Sequence, residues 1–132
     1  MQDFRNLRVW QASRQLTVAV YAAVRRFAAE ERYGLAAQLR SSATSIGANI
    51  AEGFGRATRA DTARCLQIAV GSGCETLHHM ITALDLGYLS QSEFDALEEK
   101  LGPVRRMLTN LLFRVRPKQV ARQSVPKARP RT

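Results

Sequence analysis

Apolar residues recur every three to four positions through most of this chain, which is the spacing of an amphipathic α-helix. Strand signals, such as alternating β-branched residues bounded by Asn-Gly or Asp-Gly turns, do not occur in the sequence. The predicted helices run over about 7–28, 32–52, 58–86 and 90–115. Their short connections favour an antiparallel up-down four-helix bundle, so the predicted fold class is all-α.

Each predicted helix has one apolar stripe that should face the core. In helices one and two, the stripes are Val9, Trp10, Ser13, Leu16, Val20, Val24 and Phe27, and Leu35, Leu39, Ala43, Ile46 and Ile50. In helix three, the stripe is Ala63, Leu66, Val70, Gly73, Leu77, Met80 and Leu84. In helix four, it is Phe94, Leu97, Leu101, Val104, Leu108, Leu111 and Val115.

Residues typical of helix ends support these limits. Glycines close helices two and three, namely Gly53, Gly55 and Gly87. Capping boxes, which satisfy free backbone amides at a helix start, fit Thr58 with Asp61 and Ser90 with Glu93. Pro103 lies inside the pattern of helix four and predicts a kink or a split there.

The outer face of helix two is small and uncharged, where a surface helix would carry charge. Its residues are Ala37, Ser41, Thr44, Ala48 and Ala51, and helix one adds Val18, Ala19 and Ala22. We expect these faces to pack against further copies of the chain, most simply in a ring. Gly71-Ser72-Gly73 lies inside helix three, where each glycine costs about 1 kcal/mol. It predicts either close approach by a neighbouring helix or a functional kink.

The net charge of +9 is concentrated at one end of the sequence. Residues 1–113 hold 13 basic and 11 acidic side chains, whereas residues 114–132 hold seven basic ones and no acidic one. Three of the four prolines also lie after residue 116. We therefore predict one bundle domain over 1–116 and a disordered basic tail over 117–132. With no signal peptide and no membrane span in the sequence, the expected location is the cytoplasm.

The sequence contains no recognisable catalytic constellation. Cys65 and Cys74 are too far apart on one helix for a disulfide. Cys74 and His78 share a face but lack the further ligands of a zinc site. The polar residues Asn49, Glu52, Ser72 and Glu75 are predicted to cap helices, pair with arginines or hold subunits in register. We therefore predict a protein that is not an enzyme and uses no metal or cofactor.

The basic residues are the candidates for phosphate contact. Local pairing with Glu30, Glu31, Glu98 and Glu99 is expected to cancel part of the charge of Arg25, Arg26, Arg105 and Arg106. The candidate nucleic-acid-binding residues are Arg25, Arg26, Arg40, Arg56, Arg59, Arg64, Arg114, Arg116, Lys118, Arg122, Lys127, Arg129 and Arg131.

Short sequence pieces along residues 4–115 carry a family resemblance. They are Phe4-Arg5-Asn6-Leu7-Arg8-Val9-Trp10-Gln11, Glu31-Arg32-Tyr33-Gly34-Leu35, Gln38-Leu39-Arg40, Ser45-Ile46, Asn49-Ile50-Ala51-Glu52-Gly53, Gly71-Ser72 with Glu75, and Leu86-Gly87-Tyr88-Leu89. In this order and spacing they resemble the four helix bundle protein family. That family includes proteins encoded within intervening sequences of bacterial 23S ribosomal RNA, and the accessory variability determinant of diversity-generating retroelements.

The resemblance implies a four-helix bundle that forms a barrel-shaped homopentamer and contacts nucleic acid through basic surface residues. For the retroelement members it also implies partnership with a reverse transcriptase. Ser41 departs from the family pattern, which has a second arginine after Leu39-Arg40, and this weakens the basic surface of helix two. The predicted function is a non-enzymatic homo-oligomeric scaffold that binds RNA or DNA with low sequence specificity. The alternative is a protein-interaction module that docks on a reverse transcriptase or another enzyme without binding nucleic acid.

Overall fold

Four α-helices make up most of residues 2–117, the part of the chain that the computed structural model describes. They are α1 (Arg8–Val24), α2 (Leu35–Gly53), α3 (Arg59–Asp85) and α4 (Gln91–Val115). Short 3-10 helices at Phe4–Asn6 and Ala29–Glu31 precede α1 and α2. The tail predicted to be disordered spans 117–132, and all of it except Pro117 lies outside the described residues.

The helices form an antiparallel up-down bundle. Each helix packs against its neighbours in sequence, and α1 packs against α4 to close the square. Within the described range, the diagonal helices, α1 with α3 and α2 with α4, do not pack against each other. The predicted fold class is therefore confirmed. At one end of the bundle lie the starts of α1 and α3 and the ends of α2 and α4.

The core follows the predicted stripes in three of the four helices. Leu16, Ile46, Ile50, Leu101 and Leu108 are all fully buried in its centre. The helix α4 is continuous through Pro103, so of the predicted kink or split the split does not occur. Pro103 lacks the N–H that would bond the carbonyl of Glu99, but Glu99 is exposed, so water can reach that carbonyl.

The predicted stripe of α3 is rotated from the face that is buried. Val70, Leu77 and Leu84 are only half-buried, while Gly73, Leu66 and Met80 are buried as predicted. The buried face also holds small or polar residues, namely Thr62, Cys65, Ala69, Ser72, Thr76 and Ala83. Small side chains let α3 lie close to α2, and its larger residues then fall at the edge of the interface. Periodicity based on bulky residues misses such a face.

The boundaries of α1 and α2 differ from the predicted ones. The helix α1 ends at Val24 rather than at residue 28, although Phe27 stays buried and stacks on Tyr88 with ring centroids 5.4 Å apart. The helix α2 begins at Leu35, whose backbone N–H donates to Glu31 Oε1 at 2.9 Å. This side-chain bond at a helix start explains why α2 begins three residues later than predicted.

Both predicted N-terminal caps are present, but only one of them forms the complete capping box. Ser90 and Glu93 form the complete reciprocal capping box of α4. Thr58 accepts a hydrogen bond from the Asp61 backbone at 3.1 Å, but the Asp61 carboxylate lies 3.8 Å from Arg64 instead of returning to Thr58. Gly87 follows α3 with a φ of 80°, the left-handed conformation that closes a helix.

The two glycines inside α3 have different surroundings. A Cβ atom on Gly73 would lie 3.3 Å from the Arg105 side chain, so a side chain rather than a backbone approaches there. A Cβ on Gly71 would meet nothing within 4 Å. The close approach of two helices lies instead at Gly53, where a Cβ would come within 3.0 Å of Cys65 Cβ. Gly71 therefore has no packing role among residues 2–117.

Candidate nucleic-acid interface

Two of the four polar motif residues lie in a hydrogen-bonded seam between α2 and α3. Asn49 Nδ2 donates to the carbonyl of Ser45 at 2.8 Å and reaches Ser45 Oγ at 3.0 Å. Ser45 Oγ in turn lies 2.8 Å from Ser72 Oγ on α3. Asn49 and Ser72 thus link two helices of one chain, and their side chains are engaged in the packing of the bundle.

The other two motif residues, Glu52 and Glu75, lie on the surface and far from each other. Ser45 faces Ser72 across an antiparallel interface, so Glu52 and Glu75 differ in height by about ten residues, or about 15 Å. Glu52 pairs with Arg56, and Glu75 lies 3.5 Å from His79. This separation excludes a shared acid–base role for the two carboxylates.

The cysteines and histidines form no cluster. Cys65 is buried and Cys74 is exposed, where Arg105 Nη2 lies 3.7 Å from its sulfur. Across residues 2–117, no three His, Cys, Asp or Glu side chains are grouped so that they could hold a metal ion.

Three of the candidate arginines, Arg26, Arg56 and Arg64, and also Arg5, are already paired with carboxylates. The pairs are Arg5–Asp3, Arg26–Glu93, Arg56–Glu52 and Arg64–Asp61. The hydrogen bonds from Arg5 lower the pKa of Asp3 to about 2. Arg26 pairs with Glu93 of α4 and not with Glu30 or Glu31, and among the described residues Arg105 and Arg106 form no ion pair with Glu98 or Glu99. The expected local ion pairs were therefore wrong, and for Arg26 the fold brings Glu93 of another helix closer.

Four exposed arginines gather where α4 ends, and we call them the basic end: Arg8, Arg59, Arg114 and Arg116. Arg59 donates from Nε to the carbonyl of Val115 at 3.1 Å and from Nη2 to that of Arg114 at 2.6 Å. Arg8 and Arg114 line one groove between the start of α1 and the last turns of α4. Arg116 lies beyond the end of α4 and stacks on Phe113 at 5.8 Å.

The basic end keeps its positive charge. Over residues 2–117 none of its four arginines forms an ion pair, and residues 114–132 contain no acidic side chain. The first turn of α1 holds no acidic residue either, so none offsets the Arg8 charge within that turn. Such a group of guanidiniums can hold phosphate oxygens through charge-assisted hydrogen bonds.

Sequence reasoning named Arg59, Arg114 and Arg116 but missed Arg8. The predicted up-down topology already brings the first residue of α1 beside the last turn of α4, so the signal for Arg8 was the helix direction combined with the charges at the helix ends. The candidates Lys118, Arg122, Lys127, Arg129 and Arg131 lie outside the described residues, and they follow the basic end in sequence.

The remaining candidates, Arg25 and Arg40, lie at the opposite end of the bundle. Together with Arg32, which sequence reasoning did not single out, they line a cavity of about 500 Å³ between α1 and α2. Arg40 donates from Nη2 to the carbonyl of Arg32 at 3.0 Å, and its guanidinium lies 6.0 Å from the centre of the Tyr21 ring.

These features define a four-helix bundle protein whose described residues leave a net positive charge at one end of the bundle. The family model for 23S rRNA-intervening sequence proteins matches residues 5–110, and the chain belongs to that family. The chain is also similar to a crystal structure of a protein with unknown function from the S23 ribosomal protein family of Bacteroides thetaiotaomicron. The TM-score is 0.74 at 23% identity, over 80% of this chain and 95% of that one, and this likeness shows the fold.

The comparison with curated proteins gives no match. None of the helices between residues 2 and 117 is both long and apolar enough to cross a membrane.

Proposed function

We propose that this protein is a non-enzymatic, homo-oligomeric scaffold that binds RNA or DNA with low sequence specificity. The observation that carries the proposal is the basic end, with its four exposed arginines free of carboxylate partners in the described part of the chain. Residues 118–132 follow this end in sequence and contain five further basic side chains. A phosphate backbone is the partner that such a charge density fits best.

Low specificity follows from where the arginines lie. Arg59 donates two hydrogen bonds to the carbonyls at the end of α4, and these bonds hold its guanidinium in place. Its remaining N–H donors are therefore presented to a ligand from a fixed position. The basic end comprises helix termini and no single helix face that could enter a major groove. Residues 117–132 also contain no aromatic side chain for stacking on bases. These contacts would fix position on a strand without reading its sequence.

Self-association would strengthen weak phosphate contacts. The uncharged outer faces of α1 and α2 are solvent-exposed in the single chain, with Val18 67% exposed and Ser41, Thr44 and Ala48 also on the surface. If these faces pair with copies, as in a ring of five, each assembly presents several basic ends. Several ends bound to one strand raise the apparent affinity through effective concentration. Light scattering that gives a monomer at micromolar concentration would argue against this part of the proposal.

Fluorescence anisotropy with labelled single-stranded RNA, single-stranded DNA and duplexes tests the binding. All strands carry a 5′-hydroxyl end. We expect the variant Arg8→Gln/Arg114→Gln to bind more weakly and to reduce the slope of log affinity against log salt by about 1.4 to 1.8. The matched control, Arg14→Gln/Arg106→Gln, removes the same charge from exposed sites away from this end and should leave the slope unchanged.

An equal loss of affinity in both variants would mean that net charge alone acts, without a site at the basic end. No binding by the unaltered protein would refute the proposal. The alternative function, docking on a reverse transcriptase or another enzyme without binding nucleic acid, would then be tested by co-purification with the candidate enzyme.

A further inference from the structure

The cavity at the opposite end from the basic end combines cationic walls with an apolar floor. Arg25, Arg32 and Arg40 line it, and Arg25 and Arg32 are exposed to solvent. Its floor consists of Val24, Phe27 and Ala36, which are 6%, 8% and 2% exposed. A volume of about 500 Å³ lies within the range of small-molecule sites.

The three arginines of this cavity have no carboxylate partner within the described part of the chain, although the end of the bundle as a whole holds more acids than arginines. The nearby Glu31 is engaged elsewhere, since its carboxylate accepts hydrogen bonds from the Leu35 backbone at 2.9 Å and from the Tyr88 hydroxyl at 3.1 Å. Glu30, the other acid of this loop, does not line the cavity. The three guanidiniums are therefore without a paired carboxylate among residues 2–117.

We propose that this cavity binds a phosphomonoester attached to a planar group, as in a nucleoside 5′-monophosphate or the 5′-phosphorylated end of a nucleic-acid strand. The arginines would hold the phosphate, because guanidiniums match its oxygens in geometry and charge. The inference is independent of the basic end, which lies at the other end of the bundle.

The size and the floor of the cavity favour this class over free phosphate. A water molecule takes about 30 Å³ in the liquid, so a phosphate of five heavy atoms leaves most of the space unfilled. The apolar floor gains nothing from an ion, but it can cover the face of a base or another ring. Tyr21 lies at the same cavity, and its ring is 43% exposed.

Isothermal titration calorimetry with the full chain tests the proposal. The probes are adenosine 5′-monophosphate, adenosine, inorganic phosphate and a decanucleotide, and the decanucleotide is used both with and without a 5′-phosphate. We expect the monophosphate to bind at one site per chain, with adenosine and inorganic phosphate each at least about tenfold weaker. The variant Arg25→Gln/Arg32→Gln should weaken monophosphate binding more than about tenfold. Arg14→Gln/Arg106→Gln, which removes two charges outside the cavity, should not.

The decanucleotide separates the two sources of the ligand. Tighter binding of the 5′-phosphorylated strand than of the 5′-hydroxyl strand, abolished in Arg25→Gln/Arg32→Gln, supports capture of a strand end. Binding of the mononucleotide without that difference supports a free nucleotide. Equal affinity for adenosine and its monophosphate, or no binding of any phosphorylated probe, overturns the inference. Both results come from the unaltered protein, so they hold even if Arg25→Gln/Arg32→Gln does not fold. Nucleic-acid binding at the basic end could still hold in that case, because its test uses 5′-hydroxyl strands.

Discussion

Thr76 is fully buried between α2 and α3, with its hydroxyl 2.9 Å from Ser42 Oγ and 2.8 Å from the carbonyl of Ser72. Across residues 2–117, every buried side-chain nitrogen and oxygen has a hydrogen-bond partner. A buried polar group costs little when it is paired and much more when its partner is removed. The seam that includes Ser42, Ser45, Asn49, Ser72 and Thr76 therefore fixes how α3 faces α2, in agreement with the rotation of α3 away from its bulky stripe.

Replacing Thr76 by valine should destabilise the fold. The volume is nearly unchanged, but Ser42 loses a partner in the core, so we expect the free energy of unfolding in urea to fall by about 1–3 kcal/mol. The double variant Ser42→Ala/Thr76→Val should lose less than the sum of the single losses, because both polar groups are then gone. Thr109→Val is the control, since among the described residues the exposed Thr109 hydroxyl bonds only the Arg105 carbonyl of its own helix, at 3.0 Å. Equal losses at Thr76 and Thr109 would contradict the role of the seam.

Among the helices, the periodicity of apolar residues predicted α1, α2 and α4 well and α3 less well. Leucine, isoleucine and valine mark the buried face where helices meet over large side chains, as at Leu16, Ile46 and Leu108. In α3 the buried face is formed in part by Cys65, Ala69 and Ser72, which carry no strong hydropathy signal. Sequence pattern therefore locates this helix but does not orient it.

The cap of α4 should make stability depend on pH. The backbone hydrogen bond from Ser90 lowers the pKa of Glu93 from 4.5, and the Arg26 charge acts in the same direction. A lowered pKa in the folded state means that the stabilisation is complete above pH 4.5 and is lost as the pH falls through the folded value. We expect Glu93→Gln to melt at a lower temperature than the unaltered protein at pH 7, with a smaller difference at pH 3.

The control for the cap is Glu99→Gln, which makes the same substitution on an exposed site of the same helix. The difference in melting temperature between Glu99→Gln and the unaltered protein should not shrink between pH 7 and pH 3. If the melting temperatures of Glu93→Gln and the unaltered protein differ by the same amount at pH 7 and at pH 3, the Glu93 charge does not stabilise the cap.

Gly71 tests whether the exposed face of α3 meets another chain. A Cβ at this position has open space in the single chain, so Gly71→Ala should stabilise the helix by about 0.5–1 kcal/mol. If a copy of the chain packs closely there, the added methyl group should also lower the mass found by light scattering. Glu99→Ala, on the exposed face of α4, should leave that mass unchanged. A more stable variant with an unchanged mass would place the subunit contact on another face.

At the scale of the whole bundle, the charges are unequally distributed between its two ends. Among residues 2–117, the end of the bundle where α4 ends holds seven arginines and three acids. They are Arg5, Arg8, Arg56, Arg59, Arg64, Arg114 and Arg116, with Asp3, Glu52 and Asp61. The other end holds four arginines and five acids: Arg25, Arg26, Arg32 and Arg40, with Glu30, Glu31, Asp85, Glu93 and Asp95. Composition predicted the basic tail, but not this difference, because only topology decides which arginines become neighbours.

The same reasoning explains how much of the site could be predicted. Arg114 and Arg116 were found because they adjoin the basic tail in sequence, without any knowledge of the fold. Arg8 of the basic end and Arg32 of the cavity were missed, because the other arginines of each site come from different segments of the chain. Arg56 and Arg64 were named, but their acids Glu52 and Asp61 lie one helical turn away and neutralise them.

Deleting residues 117–132 separates the roles of the bundle and the tail. The last buried core residues are Leu111 and Leu112, and the Arg59 bonds to the end of α4 are retained, so the shortened chain should fold with the same helical circular dichroism. The deletion removes Lys118, Arg122, Lys127, Arg129 and Arg131. For every phosphate that the shortened chain no longer binds, the slope of log affinity against log salt should fall by about 0.7 for a single strand and 0.9 for a duplex.

The matched control keeps the tail and removes charge from the bundle. If both regions bind phosphate, the deletion and Arg8→Gln/Arg114→Gln should each reduce the slope, and their combination should reduce it by nearly the sum, since the removed charges are distinct. Anisotropy titrations between about 50 and 200 mM salt, where several phosphate contacts change affinity by orders of magnitude, measure both slopes. An unchanged affinity and slope after the deletion would exclude the tail from the interface and assign the contacts to the arginines of the basic end.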